Sequence, residues 1–307
     1  MPKLSFLAQV PIVAVLAASG CAVARHEVYT PAVVAGQRGV IFAVDGAGDF
    51  QATSAALRQA VADERLPLGV EAVEWSHGYG RVLADEMDWD HAWEEGQCLA
   101  RRVCALRQAC PAGEIYLIGH SAGSAVVLTA AEALPPGTIN RIVLLAPSVS
   151  AEYDVRAALR ATRDGIDVFY SCRDRAYLGV GVAIVGTADR RWSAAAGRVG
   201  FHGDVQTPQD ALLYAKLRQH AWDPCVEWTG NHGGHYGGYQ VSHLRAYVLP
   251  LLRCGDCPPG PCAVPAAAAY PCQADSAKTA QFTFAQRPVS LDRDLSAGPA
   301  PAQSPAR

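Results

Sequence analysis

An α/β fold, with a mostly parallel sheet of about six strands and helices on both faces, is what this 307-residue sequence predicts. Three observations predict it. Short unbroken apolar runs, GVIFAV at 39–44, IYLIG at 115–119 and RIVLLAP at 141–147, have strand length and lack the alternation of a half-exposed strand. Segments with apolar residues at helical spacing separate these runs, as the crossovers of parallel strands require. The apolar fraction of 50 % is ample for one large core, which we assign to a single domain over 39–252.

The elements follow in order. GVIFAV ends in the turn residues DGAGD, and 51–62 then carries small and apolar residues at helical spacing. The next strand is expected over 70–75 and a long helix over 91–109, with Cys98, Val103 and Leu106 on its buried side. IYLIG leads into a helix rich in Ala and Val at 122–134. RIVLLAP, a helical stretch at 153–161 and the strand IDVFYS at 166–171 come next. Further on, 209–220 reads as helix, 225–229 as strand and 240–252 as helix.

The two ends differ from this pattern. After Lys3, LSFLAQVPIVAVLAAS is free of charge and closes on Ala18-Ser19-Gly20-Cys21, so 1–20 reads as an export signal. Small residues before a cysteine resemble the lipobox of bacterial lipoproteins, which implies Cys21 as the lipid-bearing residue. The position three before it is Ala18 where leucine is usual, and ordinary secretion or a retained anchor are the alternatives; each places the domain outside the cytoplasm, with the cell envelope the expected location. A connector fills 21–38. From 253 to 307 the chain turns rich in Cys, Pro and Ala without periodicity, a composition expected to be disordered. If Cys21 is lipidated, nine other cysteines remain, an odd number whose pairing spacing does not reveal. Cys254, Cys257 and Cys262 lack a compact second pair at finger-like spacing, which argues against zinc.

Charge narrows the functions. Lys+Arg 26 against Asp+Glu 29 gives a net charge of -3, with no basic cluster interleaved with aromatics, so nucleic acid is not an expected partner.

GHSAG at 119–123 is the strongest motif, because it joins an expected strand to an expected helix. Glycines let neighbouring backbones pass close to a sharp turn that lifts Ser121, and the helix start offers free N–H groups to a developing negative charge. A serine needs a base, and the base an orienting acid. From GVIFAV to Leu252 the chain resembles the α/β-hydrolase superfamily, whose triads run Ser, then Asp or Glu, then His. The resemblance implies Asp174, just past IDVFYS, as the acid; Asp167 lies at the wrong end of that strand. For the base, NHGGHYGGY offers two histidines, with His235 preferred and His232 the alternative. His120 beside the serine reads as structural.

The oxyanion donors implied are the N–H groups of Ala122 and, in the DGAG turn, Ala47. Asp45 stands where the family often has His-Gly, and a carboxylate there opposes an oxyanion unless it points away. Asp45 with Asp49 makes a weak metal loop. Neither a cofactor nor a metal is implied. No lid is expected between 147 and 153, while 177–206 is an insertion that forms either a pocket wall or a surface excursion, and WSHGYG at 75–80 is a candidate lining segment. The expected function is an ester hydrolase acting through an acyl-enzyme on a small or lipid-like acyl substrate. An acyltransferase on the same triad, and a non-catalytic anchored binding protein that keeps the fold, are the alternatives.

Overall fold

The computed structural model describes residues 37–253. The export segment 1–20, Cys21, the connector up to residue 36 and the tail from 254 onward, with its four cysteines, lie outside the described residues.

Six strands, β1 (Gly39–Val44), β2 (Leu68–Ala72), β3 (Glu114–His120), β4 (Arg141–Leu145), β5 (Ile166–Tyr170) and β6 (Leu217–Ala221), form one sheet in the order β2-β1-β3-β4-β5-β6. Every neighbouring pair is parallel, with Ile41 of β1 opposite both Val70 of β2 and Tyr116 of β3. Unbroken apolar runs suit this sheet because alternate residues serve two cores. Val40 and Phe42 of β1 and Ile115 and Leu117 of β3 meet α3 (Trp89–Ala109), α4 (Gly123–Glu132) and α5 (Arg156–Ala161) on one face. Ile41, Ala43, Tyr116 and Ile118 meet α1 (Ala52–Asp63) and the C-terminal helical stretch from Val241 to Arg253 on the other. Among the described residues no helix is long and apolar enough to cross a membrane.

Strand order decides where a site can lie. From β1 the chain steps out to β2 and returns to β3 on the other side of β1. The crossovers on either side of β1 therefore diverge, and a crevice opens beyond the carboxyl ends of β1 and β3.

Four expectations need correction. The second strand spans Leu68–Ala72, two residues earlier than read at its start, though Val73 N still donates to Ala43 O at 2.9 Å. A short helix between β2 and α3, α2 (Val82–Met87), was not anticipated. The region read as helix over 209–220 splits into α8 (Pro208–Tyr214) and β6; the intervening short helices are α6 (Val182–Val185) and α7 (Ala196–Val199). The strand expected at 225–229 is instead a 3₁₀ turn, Pro224–Thr229, started by Asp223, whose carboxylate accepts from Cys225 N at 2.8 Å.

Candidate active site

β3 ends at His120 and α4 begins at Gly123, leaving Ser121 and Ala122 to make the turn. Ser121 has φ 50°, a left-handed conformation that costs a side-chain-bearing residue energy and is kept only where its surroundings enforce it. They do so here: Ser121 N donates to Leu145 O at 3.1 Å, while its carbonyl accepts from Ser124 N at 3.0 Å. Close approach requires glycine at 123 and favours it at 119. A Cβ on Gly123 would stand 2.3 Å from Asp45 O, and one on Gly119 3.0 Å from Val127 Cγ2. α4 can therefore lie directly against the end of β1 only because position 123 has no side chain.

Ser121 Oγ lies 2.9 Å from His235 Nε2, and His235 Nδ1 lies 2.5 Å from Asp174 Oδ2. All three side chains are buried. Asp174 follows β5 and His235 sits in the loop after β6, so three carboxyl-end connections converge. A carboxylate accepts only, so Nδ1 carries the imidazole proton and Nε2 is left to accept from the serine hydroxyl. Leu178 N donates to the other carboxylate oxygen of Asp174 at 3.3 Å. The ring of Tyr177 stacks on His235 at 4.8 Å with planes 20° apart, restricting rotation of the imidazole. His232 is exposed and lies with Arg173, Arg175 and Gln240 along an open groove that Asp174 and His235 also border.

His120, read from sequence as structural, is buried against the triad. Its Nε2 lies 3.1 Å from His235 O, and since a carbonyl accepts, Nε2 bears the proton. Burial, and next the nearby His235, lower its pKa to about 3, so its ring is neutral. Two other buried or half-buried histidines stand apart: His220 bonds Asp167, and His243 packs by Thr229 and Asn231.

Asp45 does not aim at the serine. Its Oδ1 accepts from Thr53 N at 2.6 Å and Ser54 N at 3.1 Å, so it caps α1, whose own first turn has no side-chain cap. Gly46 passes so near the turn that a Cβ there would be 3.2 Å from Ser121 Cβ, and Ala47 follows it into the cavity wall. Ala122 directly follows the serine at the start of α4. The loop after β1 is held a second time by Asp85 of α2, whose Oδ2 accepts from Gly48 N at 2.7 Å. Ser76 and His77 also bond Asp85, at 2.5 and 2.8 Å. Thus WSHGYG does not line the cavity as expected; it anchors α2, which does. Sequence reasoning missed Asp85, and no local signal marks it because its partners are eight or more residues away.

A cavity of about 490 Å³ opens on Ser121. Its walls come from the loop after β1, from α2 and from Ala176–Val185, a π-helical turn running into α6; the first part of the 177–206 insertion is therefore pocket wall. Glu86 of α2 also lines it, with burial raising its carboxyl pKa. Among the described residues no group of three or more His, Cys, Asp or Glu side chains could hold a metal ion.

The family described as an alpha/beta hydrolase of unknown function, DUF900, is matched over residues 40–198, a span that contains Ser121 and Asp174 and ends before His235. Among solved structures the chain is similar to the esterase PE8, at 17 % identity over 67 % of this chain and 88 % of that one, TM-score 0.42. It is also similar to an α/β serine hydrolase without a lid from Xanthomonas campestris, at 16 % identity over 69 % and 79 %, TM-score 0.37. A Trichoderma reesei cutinase matches at 16 % identity over 71 % and 77 %, TM-score 0.33. No curated protein matches the chain.

Proposed function

Starting from the chain's membership of the DUF900 family of α/β-hydrolases, we propose that it cleaves a carboxylic ester through an acyl-enzyme on Ser121, with His235 as base and Asp174 as its orienting acid. The observation that carries this reading is the unbroken line from Ser121 Oγ through His235 to Asp174, with separations of 2.9 and 2.5 Å.

The chemistry follows from that line. Ser121 Oγ attacks the ester carbonyl carbon as its proton passes to His235 Nε2, and the carbonyl π pair moves onto oxygen. The N–H groups of Ala122 and Ala47 are the proposed donors to this oxyanion. Collapse re-forms the carbonyl and breaks the bond to the alcohol oxygen, which leaves with the proton from His235. Water then gives a proton to His235 and attacks the acyl-enzyme; the second collapse releases the acid and returns the proton to Ser121. Asp174 stays ionised throughout, holding Nδ1–H and favouring the imidazolium that forms twice per turnover. We further propose that the domain works outside the cytoplasm, tethered through Cys21; the support is the apolar segment and small residues that precede that cysteine.

Labelling of the full chain with a fluorophosphonate tests the catalytic reading without a chosen substrate. We expect labelling that is abolished in Ser121→Ala, lost or strongly slowed in His235→Ala, and preserved in His232→Ala. A folded wild-type chain that takes no label, or labelling that survives Ser121→Ala, overturns it.

A further inference from the structure

The cavity beside Ser121 is apolar in a way that its few polar residues reinforce. α2 contributes Val82 and Leu83, and the segment after Asp174 contributes Leu178, Val182, Ile184 and Val185. Among the described residues no Lys or Arg lines it. One oxygen of Asp45, Oδ1, already accepts from the N–H groups of Thr53 and Ser54. Burial pushes the Glu86 carboxyl pKa up, and with only acids and no cation in its lining the cavity has nothing to pair with an anionic ligand. Leu83 of α2 and Ile184 of α6, both lining the cavity, are 64 % and 69 % exposed, so its solvent-facing edge is apolar as well. The volume, about 490 Å³, is roughly three times the ~150 Å³ apolar void known to take up benzene.

Resting on the ester-hydrolase reading, we propose that this cavity is the acyl subsite, and that it selects esters of an uncharged alkyl chain of roughly eight or more carbons over short or anionic acyl groups. The chain runs from the carbonyl at Ser121 between α2 and Ala176–Val185. Gly181 sets the room available. It lines the cavity with φ -56°, a conformation open to any residue, and a Cβ added there meets nothing closer than Ala176 O at 3.6 Å. A larger side chain at 181 therefore takes space from the substrate without forcing the backbone.

The test uses the purified full chain with p-nitrophenyl acetate, butyrate and octanoate below their micelle concentrations, and with the octanedioic acid monoester, which matches octanoate in length but ends in a carboxylate. Each buried methylene multiplies kcat/KM by up to about fourfold, so even partial burial gives at least about a thirtyfold rise from acetate to octanoate. The charged monoester is expected at least about tenfold below octanoate, and Gly181→Leu should lower the octanoate-to-acetate ratio at least about tenfold. A short ethyl fluorophosphonate separates the two ideas. If it labels Ser121 while chain length or terminal charge makes no difference, the acyl subsite is wrong and the hydrolase stands. If neither probe nor any ester reacts, the hydrolase reading itself falls. The wild-type comparisons decide the matter even if Gly181→Leu does not fold.

Discussion

Acidification should weaken the native state through two histidines that the fold keeps neutral. His120 is 4 % exposed, and burial, then His235, lower its pKa to about 3; His243 is 2 % exposed, and burial, then His220, lower its pKa to about 4. In the unfolded chain each titrates near 6.5. Above that value neither state binds a proton at these sites and their contribution to stability is complete. As the pH falls below it, the unfolded chain takes up protons that the native protein refuses, and stability is lost until the native values are reached. At pH 5, about 1.5 units below the unfolded value, each histidine costs about 2 kcal/mol relative to pH 8, at about 1.36 kcal/mol per unit. For His120 this size depends on the unfolded value alone, because its native value lies well below 5. Urea midpoints at the two pH values measure the loss. His120→Gln keeps an N–H that can reach His235 O but cannot ionise, so its pH-dependent loss should be smaller than that of the wild type by about 2 kcal/mol. An unchanged loss in that variant would refute the claim that His120 is held neutral.

Two further outcomes follow from the same geometry. Asp174→Asn keeps the shape of the acid but removes the charge that holds Nδ1–H, and kcat against a reactive ester should fall roughly 10³- to 10⁴-fold with little change in the thermal midpoint. Gly123→Ala sets a Cβ 2.3 Å from Asp45 O and 2.6 Å from Val44 O, so α4 must retreat from β1; we expect a loss of about 1–3 kcal/mol in urea unfolding together with slowed fluorophosphonate labelling.

What was legible from sequence was whatever the fold encodes locally. β1, β3 and β4 read clearly because both faces of each are buried, which forces unbroken apolar runs. GHSAG read clearly because its glycines answer a contact at that very turn, and Asp174 and His235 because the superfamily resemblance directed attention to loops after particular strands. β6 was hidden by its polar content. As the edge strand LRQHA it sends Arg218 and His220 to Asp167 and Gln219 to the backbone of Phe201, so its residues pair laterally and do not form an apolar run. The 3₁₀ turn misread as a strand did carry a signal, Asp223-Pro224, a capping residue before a helix-starting proline. α2 had none, since Asp85 matters only through Gly48, Ser76 and His77, which the fold brings to it.

Asp45 is where local and long-range reasoning part most instructively. A carboxylate in the loop that carries the proposed oxyanion donor Ala47 looks hostile to negative charge, yet its Oδ1 accepts from the first-turn N–H groups of α1, where the helix dipole favours it. Three residues further along the same loop, Asp85 takes the N–H of Gly48. Burial works against its ionisation, and bonds from Ser76, Gly48 and His77 outweigh that, leaving its pKa below the ordinary range. Within the loop 45–51, Asp45 thus ties the start to the first turn of α1 and Asp85 holds the backbone at Gly48, leaving Gly46 and Ala47 between the two tethers, beside Ser121. Donors for an oxyanion are useful in proportion to how little they must move when charge develops. The acids that count against Ala47 when read as point charges near the site therefore count in its favour once their hydrogen bonds are traced, because they supply the rigidity its proposed role requires.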